Sequence, residues 1–121
     1  MDSGPRPSTE LNAPAPNVLS LAEAAGWDEP WIGGKAHKLA RLARSGARVP
    51  DGFCITSAAY QRFVQAGGLR QMIQAELGRK SLDQMRWEEI WDAALRLRAV
   101  FINTPLPASV VREIGDALRR L

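Results

Sequence analysis

Apolar side chains recur at three- and four-residue steps through most of the chain, a spacing typical of amphipathic helices. Over residues 35–45 the apolar side chains share one arc of such a helix. They are Ala36, Leu39, Ala40, Leu42 and Ala43. The opposite arc is polar and contains His37, Lys38, Arg41 and Arg44. The same spacing predicts further helices over residues 57–65 and 69–77, from Ser81 or Asp83 to 103, and after Pro107. Glycines and prolines separate these segments, as is common at helix ends.

Two short segments have the composition of strands. Residues 18–21 alternate weakly, and residues 53–56 are apolar and rich in side chains that favour strands. Residues 22–26 are too short to predict a helix. Residues 27–30 are expected to form a turn in which Pro30 biases Glu29 toward extended geometry. The expected fold is therefore α+β and predominantly helical, with two short strands and about five helices.

The long helix predicted up to residue 103 carries an aromatic-rich stripe. Its members are Trp87, Ile90, Trp91, Ala94, Leu95, Arg98 and Phe101. Such a stripe can be core or a stacking platform for nucleic-acid bases, and helical spacing favours core. The last predicted helix has an apolar stripe of Val110, Val111, Ile114, Leu118 and Leu121. Because the sequence stops on a residue of this stripe, we expect the chain to be a fragment of something larger.

Composition indicates one globular domain with a tail. The 121 residues, 45% of them apolar, are enough to build a core. Residues 1–17 are rich in proline and small polar residues, so we predict a flexible tail there and a domain over residues 18–121. No apolar run approaches the ~20 residues that span a membrane, and no secretory signal is evident. A single cysteine, Cys54, cannot form an internal disulfide, so a cytoplasmic location is expected.

The net charge of +3 is concentrated in one part of the chain. Residues 35–80 carry nine basic and two acidic side chains. A basic segment suits a polyanionic partner such as nucleotide phosphate, nucleic acid or an acidic surface. A solvated basic helix face explains most of these arginines about as well. No recognition-helix signature supports nucleic-acid binding beyond charge, so that function ranks well behind the others.

The candidate binding site is formed by Gly33, Gly34 and Lys35, where the 35–45 helix starts. Glycines let the backbone turn without steric cost, and the N–H groups and dipole of a helix start favour an anion. Lys35 falls within the apolar arc, which separates it from the basic face and aims it where a ligand could lie. Alternatively, it extends to water as many surface lysines do. The stretch is not a P-loop, because Glu29 and Ala36 occupy the positions of that motif's Gly and Ser or Thr.

The sequence contains no complete catalytic or metal-binding constellation. There is one histidine and one cysteine, and no spacing typical of a zinc or redox site. His37 is expected on the solvated side of its helix, and Cys54 is expected to be a small core residue.

A wider pattern surrounds the diglycine. It comprises Ile32, Gly33, Gly34, Lys35 and Ala36, then Leu39, Leu42 and Gly46, then Val49, Pro50, Gly52 and Phe53, then Thr56, Ala59, Tyr60 and Phe63. Over about residues 18–121 the chain resembles the N-terminal ATP-binding region of the phosphoenolpyruvate synthase and pyruvate phosphate dikinase family. The rifampin phosphotransferases contain the same region. His37 and Lys38 depart from the family pattern, which usually has small and amide-bearing residues there.

The resemblance implies the N-terminal subdomain of an ATP-grasp type nucleotide-binding domain. It implies that Lys35 contacts the phosphates of ATP, with Gly33 and Gly34 in the same motif. It also implies transfer of a phosphoryl group, assisted by Mg²⁺, to a histidine of a separate mobile domain. The family's arginine-serine-serine stretch, adenine-contacting strand, Mg²⁺-binding acids and phosphohistidine domain are absent from this sequence.

The chain alone is therefore not expected to complete the reaction. It would need the downstream ATP-grasp half and the phosphohistidine domain, in cis or in trans. The alternative is a degenerate, non-catalytic ATP-grasp-like module used for protein–protein contacts.

Overall fold

The computed structural model describes residues 15–121, so residues 1–14 of the predicted tail lie outside the described residues. The described residues form two compact units. The first contains the residues up to 61 together with residues 108–121, and the second contains residues 62–107. Within residues 15–121 there are six α-helices and one two-stranded antiparallel sheet, compared with the expected two strands and about five helices. No described helix is long and apolar enough to cross a membrane.

The sheet lies in the first unit and pairs β1 (Val18–Ser20) with β2 (Phe53–Ile55). Leu19 is opposite Cys54, and both strand predictions are confirmed. The three residues before β1 also pack into this unit, although the sequence pattern places them in the tail. Ala15 and Asn17 are buried. The Thr56 hydroxyl donates to the carbonyl of Pro16 at 2.7 Å, which ties this segment to the end of β2.

Helix α1 (Leu21–Ala24) was not predicted, but a local signal for it exists in the sequence. The Ser20 hydroxyl accepts from the backbone N–H of Glu23 at 3.1 Å, and the Glu23 carboxylate accepts from the backbone N–H of Ser20 at 3.0 Å. This reciprocal pair is a capping box, which is recognisable as Ser followed three residues later by Glu. The pair stabilises a helix too short to show periodicity.

Helix α2 spans Glu29–Arg44, so the prediction of a turn with an extended Glu29 is wrong. Asp28 is the N-cap residue in extended geometry, and Pro30 lies in the first turn, where its missing N–H costs nothing. The helix ends as predicted at Gly46, which has a φ of 92°. The N–H groups of Gly46 and Ala47 donate to the carbonyls of Ala43 and Leu42, closing the left-handed glycine cap.

The core of the first unit lies among β1, α1, α2 and the start of α3. Its buried members are Ala15, Leu19, Ala24, Trp31, Ile32, Ala40 and Ala58. Helix α6 (Ala108–Arg119) packs on β1 and buries Val110 and Ala117. The Asn17 side-chain amide donates to the carboxylate of Glu113, linking the segment before β1 to α6.

Helix α3 spans Ser57–Ala66, which matches the helix predicted over residues 57–65 to within one residue. The backbone N–H of Ala59 donates to the Thr56 hydroxyl, so Thr56 and not Ser57 has the capping role. The Ser57 hydroxyl is buried without a hydrogen-bond partner among the described residues. Sequence alone did not separate two adjacent hydroxyl residues, because both types are common at this position.

The second unit contains α4 (Leu69–Leu77), a 3₁₀ helix (Leu82–Gln84) and α5 (Trp87–Asn103). Its core is formed by Phe63, Val64 and Leu69, against which Ile73, Val100 and Phe101 pack. The bounds of α4 match the prediction. Helix α5 begins at Trp87, after the separate 3₁₀ turn, rather than at Ser81 or Asp83. Arg96 of α5 donates to Glu76 of α4, which joins the two helices.

The prediction that the aromatic stripe is core is wrong for most of its members. Trp87 and Trp91 are 66% and 59% exposed, and Leu95 is 51% exposed. Only the Phe101 end of the stripe packs into the core. The buried side of α5 instead centres on Ala93. Periodicity identified an apolar face correctly, but α5 has a second one, and the second one packs against α4.

Candidate functional site

The candidate site is built around a break inside α2. Gly33 has φ 82° and ψ 159°, values that are not helical, so α2 consists of a first turn and a second helical segment after the glycine. Only glycine adopts this backbone region without strain. A Cβ added to Gly33 would have no heavy atom within 4 Å among those compared, so the backbone conformation and not crowding requires glycine here.

The first turn of α2 is anchored by aromatic packing. Trp31 is 2% exposed and Ile32 is 7% exposed, and both belong to the core. The ring of Trp31 meets that of Trp27 edge to face, with centroids 5.2 Å apart. Because these residues immediately precede Gly33, they hold the break in a fixed position on the core.

Lys35 lies at the start of the second segment of α2, as the sequence indicates. Its side chain is exposed, and within residues 15–121 it makes no hydrogen bond or ion pair. Ala36 and Leu39 beside it are half-buried, and Ala40 is buried. Backbone N–H groups at a helix start point outward along the helix axis, in the direction that an anion would approach. Lys35 is therefore available to a ligand at this position.

The arcs predicted for α2 are only partly correct. Leu42 and Ala43 of the predicted apolar arc are exposed, because burial stops after Ala40. His37, expected on the solvated side, is half-buried. Cys54 is half-buried and packs against the core of the first unit, and this burial raises the pKa of its thiol.

A carboxylate that the sequence interpretation did not consider lies beside the diglycine. A Cβ built on Gly34 would be 3.0 Å from Oε1 of Glu29. Glu29 comes close because the first turn of α2 is helical, and the prediction of an extended Glu29 hid this. Its exposed side chain can move, so an anion bound at Gly34 requires it to turn toward solvent.

The described cavities of the first unit lie elsewhere. One of about 460 Å³ lies between α1 and the C-terminal half of α2, with Glu23 and Arg44 among its lining residues. Another of about 180 Å³ is lined by residues of both strands and of the C-terminal part of the chain. Lys35 lines neither of these two cavities.

No residues within the described part of the chain form a metal site. Among residues 15–121 no group of three or more His, Cys, Asp or Glu side chains could hold a metal ion. The described residues therefore do not fit the ligand set that Mg²⁺ prefers, which is rich in carboxylate oxygens.

Comparison with known proteins identifies the family. Residues 29–121 match the family described as pyruvate phosphate dikinase, AMP/ATP-binding domain. The chain belongs to this family. The match begins at the first residue of α2, so it includes Gly33, Gly34 and Lys35, and it confirms the family resemblance noted in the sequence.

Several curated proteins are similar to the chain. It is 39% identical over 104 residues to the phosphoenolpyruvate synthase of Aeropyrum pernix, covering 86% of this chain and 13% of that protein. It is 37% identical over 103 residues to the rifampicin phosphotransferase of a Streptomyces species, covering 84% of this chain and 11% of that protein. It is 26% identical over 102 residues to the rifampicin phosphotransferase of Bacillus subtilis, covering 84% of this chain and 12% of that protein. The chain thus spans about an eighth of the length of these relatives.

Proposed function

We propose that the chain is the N-terminal ATP-binding portion of an ATP-dependent phosphotransferase, in which Lys35 contacts the phosphates of ATP. Gly33 and Gly34 shape the backbone beside those phosphates, and the domain as a whole has the ATP-grasp fold. The protein works in the cytoplasm. Relatives named as phosphoenolpyruvate synthase and rifampicin phosphotransferase support the class of reaction.

The observation that carries the proposal is the break at Gly33. It brings a helix start and an exposed lysine that is unpaired among residues 15–121 to the same point, within the part of the chain that matches the family. A lysine and oriented N–H groups stabilise the negative charge of transferring phosphates. Other basic residues of α2, such as Lys38, lie inside the helix and have no such N–H groups beside them.

The rest of the reaction is assigned to polypeptide outside this chain, in cis or in trans. A histidine of a separate domain accepts the phosphoryl group from ATP and passes it to the final acceptor. Acids outside the chain hold Mg²⁺, which neutralises phosphate charge when bound. The residues of this chain hold and orient ATP, and they do not complete the transfer alone.

The test is stabilisation of the chain by ATP, read as a shift of the thermal unfolding midpoint. A ligand at ten times its dissociation constant stabilises the folded state by about 1.4 kcal/mol. Lys35→Ala is expected to weaken ATP binding by about tenfold or more, since a charge-assisted hydrogen bond contributes about 1.5–3 kcal/mol. Lys38→Ala removes the same charge three residues further along α2 and is the matched control, expected to leave the shift unchanged.

If Lys35→Ala and Lys38→Ala weaken ATP binding equally, the effect comes from general basic charge. That result would contradict the role assigned to Lys35. Absence of any ATP-dependent shift, both in the free chain and in a fusion to the rest of a relative, would favour the non-catalytic module. That alternative keeps the fold for protein contacts and needs no nucleotide.

A further inference from the structure

Helix α5 has a large apolar surface that nothing within the described chain covers. We define the α5 outer face as Trp87, Trp91, Ala94, Leu95 and Ile102, all of which are exposed. The first three follow one another at steps of four and three residues, so they form a continuous row along the helix. Ile102 is 69% exposed, which extends the surface to the last turn of α5. From Trp87 to Ile102 the helix rises by fifteen steps, so the row is about 23 Å long.

The opposite side of α5 already packs against its own unit. Ala93 is buried, and Val100 and Phe101 pack on the core formed with α3 and α4. The helix is therefore apolar on two sides. An uncovered apolar patch of this kind marks an interaction surface.

The centre of the outer face is a groove beside two tryptophans. The rings of Trp87 and Trp91 have centroids 5.6 Å apart and are tilted by 47°. Together with Ile90 and Ala94 they line an open groove of about 370 Å³. Paired tryptophans around an apolar depression are typical of the residues that dominate binding energy at protein interfaces.

Charged residues border the groove and restrict its partner. Glu88 and Asp92 are exposed in the N-terminal half of α5, near the tryptophans, and Arg98 is exposed in the C-terminal half. A partner surface that matches this pattern is apolar in the middle, with a basic group opposite the tryptophan end and an acidic group opposite Arg98.

We infer that the α5 outer face is the docking surface for the remainder of the nucleotide-binding protein, the part that the relatives have and this chain lacks. The chain spans only 13% and 11% of two relatives that it matches along most of its own length. The remaining polypeptide of those relatives is long enough to cover a row of about 23 Å. This inference rests on the proposed function, because it names where the proposed partner binds.

The test measures how fast each tryptophan is oxidised, resolved by peptide mapping. The free chain is compared with a chimera in which the chain replaces the matched 103 residues of the Streptomyces rifampicin phosphotransferase. In a second arm, the free chain is mixed with that relative lacking the matched region. Burial at an interface centre is expected to lower the reactivity of Trp87 and Trp91 about fivefold or more. Tyr60, which is 53% exposed in the first unit, serves as an internal reference for reagent access.

Two variants sharpen the test. Trp91→Glu places a charge on the outer face and is expected to abolish protection of Trp87 in both arms. Asn103→Glu adds the same charge at an exposed position of α5 that is not three or four residues from any member of the row, and it is the matched control. If the chimera does not fold, the mixing arm decides the outcome.

Equal reactivity of Trp87 and Trp91 in the free chain and in both arms would overturn the inference. Protection that grows with the concentration of the free chain alone would also overturn it, in favour of a second copy as the occupant. All measurements are made without ATP and are repeated with Lys35→Ala. Protection of Trp87 and Trp91 in the chain with Lys35 intact, together with no ATP-dependent shift in that same chain, would keep the docking surface and reject the proposed function.

Discussion

Gly33 and Gly34 are adjacent, but the structure requires glycine at only one of them. Gly33 has a positive φ with extended ψ, whereas Gly34 has helical geometry inside the second segment of α2. A Cβ on Gly33 meets no atom within 4 Å, and a Cβ on Gly34 meets only the mobile end of Glu29. Position 33 therefore requires glycine because of its backbone conformation. Position 34 requires only a small residue.

This difference predicts opposite effects of the same substitution on the free energy of unfolding. Gly33→Ala is expected to destabilise the chain by about 1–3 kcal/mol, the usual cost of holding a non-glycine residue in that backbone region. Gly34→Ala is expected to be neutral or to stabilise by up to about 1 kcal/mol, because alanine loses less entropy in a helix. Urea denaturation of both variants measures this directly. A larger loss for Gly34→Ala than for Gly33→Ala would contradict the kinked geometry of α2.

At the scale of residues, the sequence located Lys35 correctly but not its surroundings. Helical phase put Lys35 at the start of a helix, and the structure keeps it there with an exposed side chain. Phase does not report how far burial extends along a helix, so the exposure of Leu42 and Ala43 was missed. Nor does it report that the turn before Gly33 is helical, which is what brings Glu29 beside the diglycine.

At the scale of elements, prediction succeeded where glycines bound a periodic segment. Helix α4 begins after Gly68 and ends before Gly78, and both bounds were predicted. Helix α1 is only four residues long, so its evidence was the capping pair of Ser20 and Glu23 and not periodicity. The core assignment of Trp87 and Trp91 failed for a different reason. An apolar face predicts burial from its pattern alone, but Trp87 and Trp91 are 66% and 59% exposed, so the described residues do not cover it.

A close contact between the end of α3 and the end of α5 gives a prediction at this scale. A Cβ on Gly67 would lie 2.6 Å from Cγ2 of Thr104, closer than packed atoms allow. The Thr104 hydroxyl donates to the carbonyl of Val100 at 2.7 Å, which fixes the methyl group in place. Gly67→Ala is therefore expected to destabilise the second unit by about 1–3 kcal/mol through overpacking.

Thr104→Ser supplies the matched background for Gly67→Ala. It removes the obstructing methyl group and keeps the hydroxyl that bonds to Val100. In this background Gly67→Ala is expected to cost less, with a coupling free energy of about 1 kcal/mol in a double-mutant cycle followed by chemical denaturation. Additive effects of the two substitutions would show that the contact with Thr104 does not limit the size of residue 67.

At the scale of the whole molecule, the chain combines two well-packed regions with surfaces that remain uncovered. Each unit has its own core cluster of buried residues, yet large apolar side chains stay exposed on α5 and on the outer side of α6, where Val111 and Leu118 lie. The family match and the length of the relatives give a consistent physical reason. Such faces are what a segment that packs inside a larger protein would keep, in line with the docking surface proposed for α5.

Acid sensitivity is the final prediction, because both units contain carboxylates with lowered pKa. The pKa of Glu23 is lowered by the backbone N–H of Ser20, that of Glu76 by the hydrogen bond from Arg96, and that of Glu89 by the hydrogen bond from Arg86. Each folded-state pKa lies below the ordinary value of 4.5, so the unfolded chain binds protons first as the pH falls. The contribution of these carboxylates to the free energy of unfolding is complete above pH 4.5. It is lost as the pH drops through their folded-state pKa values. The urea concentration at the midpoint of unfolding is therefore expected to decrease once the pH drops below about 5. The fall should be shallower in a Glu23→Gln, Glu76→Gln and Glu89→Gln triple variant and at high salt, because these exposed interactions are screened. Glu88→Gln controls for the loss of one acid on α5, and a triple variant with the slope of the original chain would show that other groups govern the response to acid.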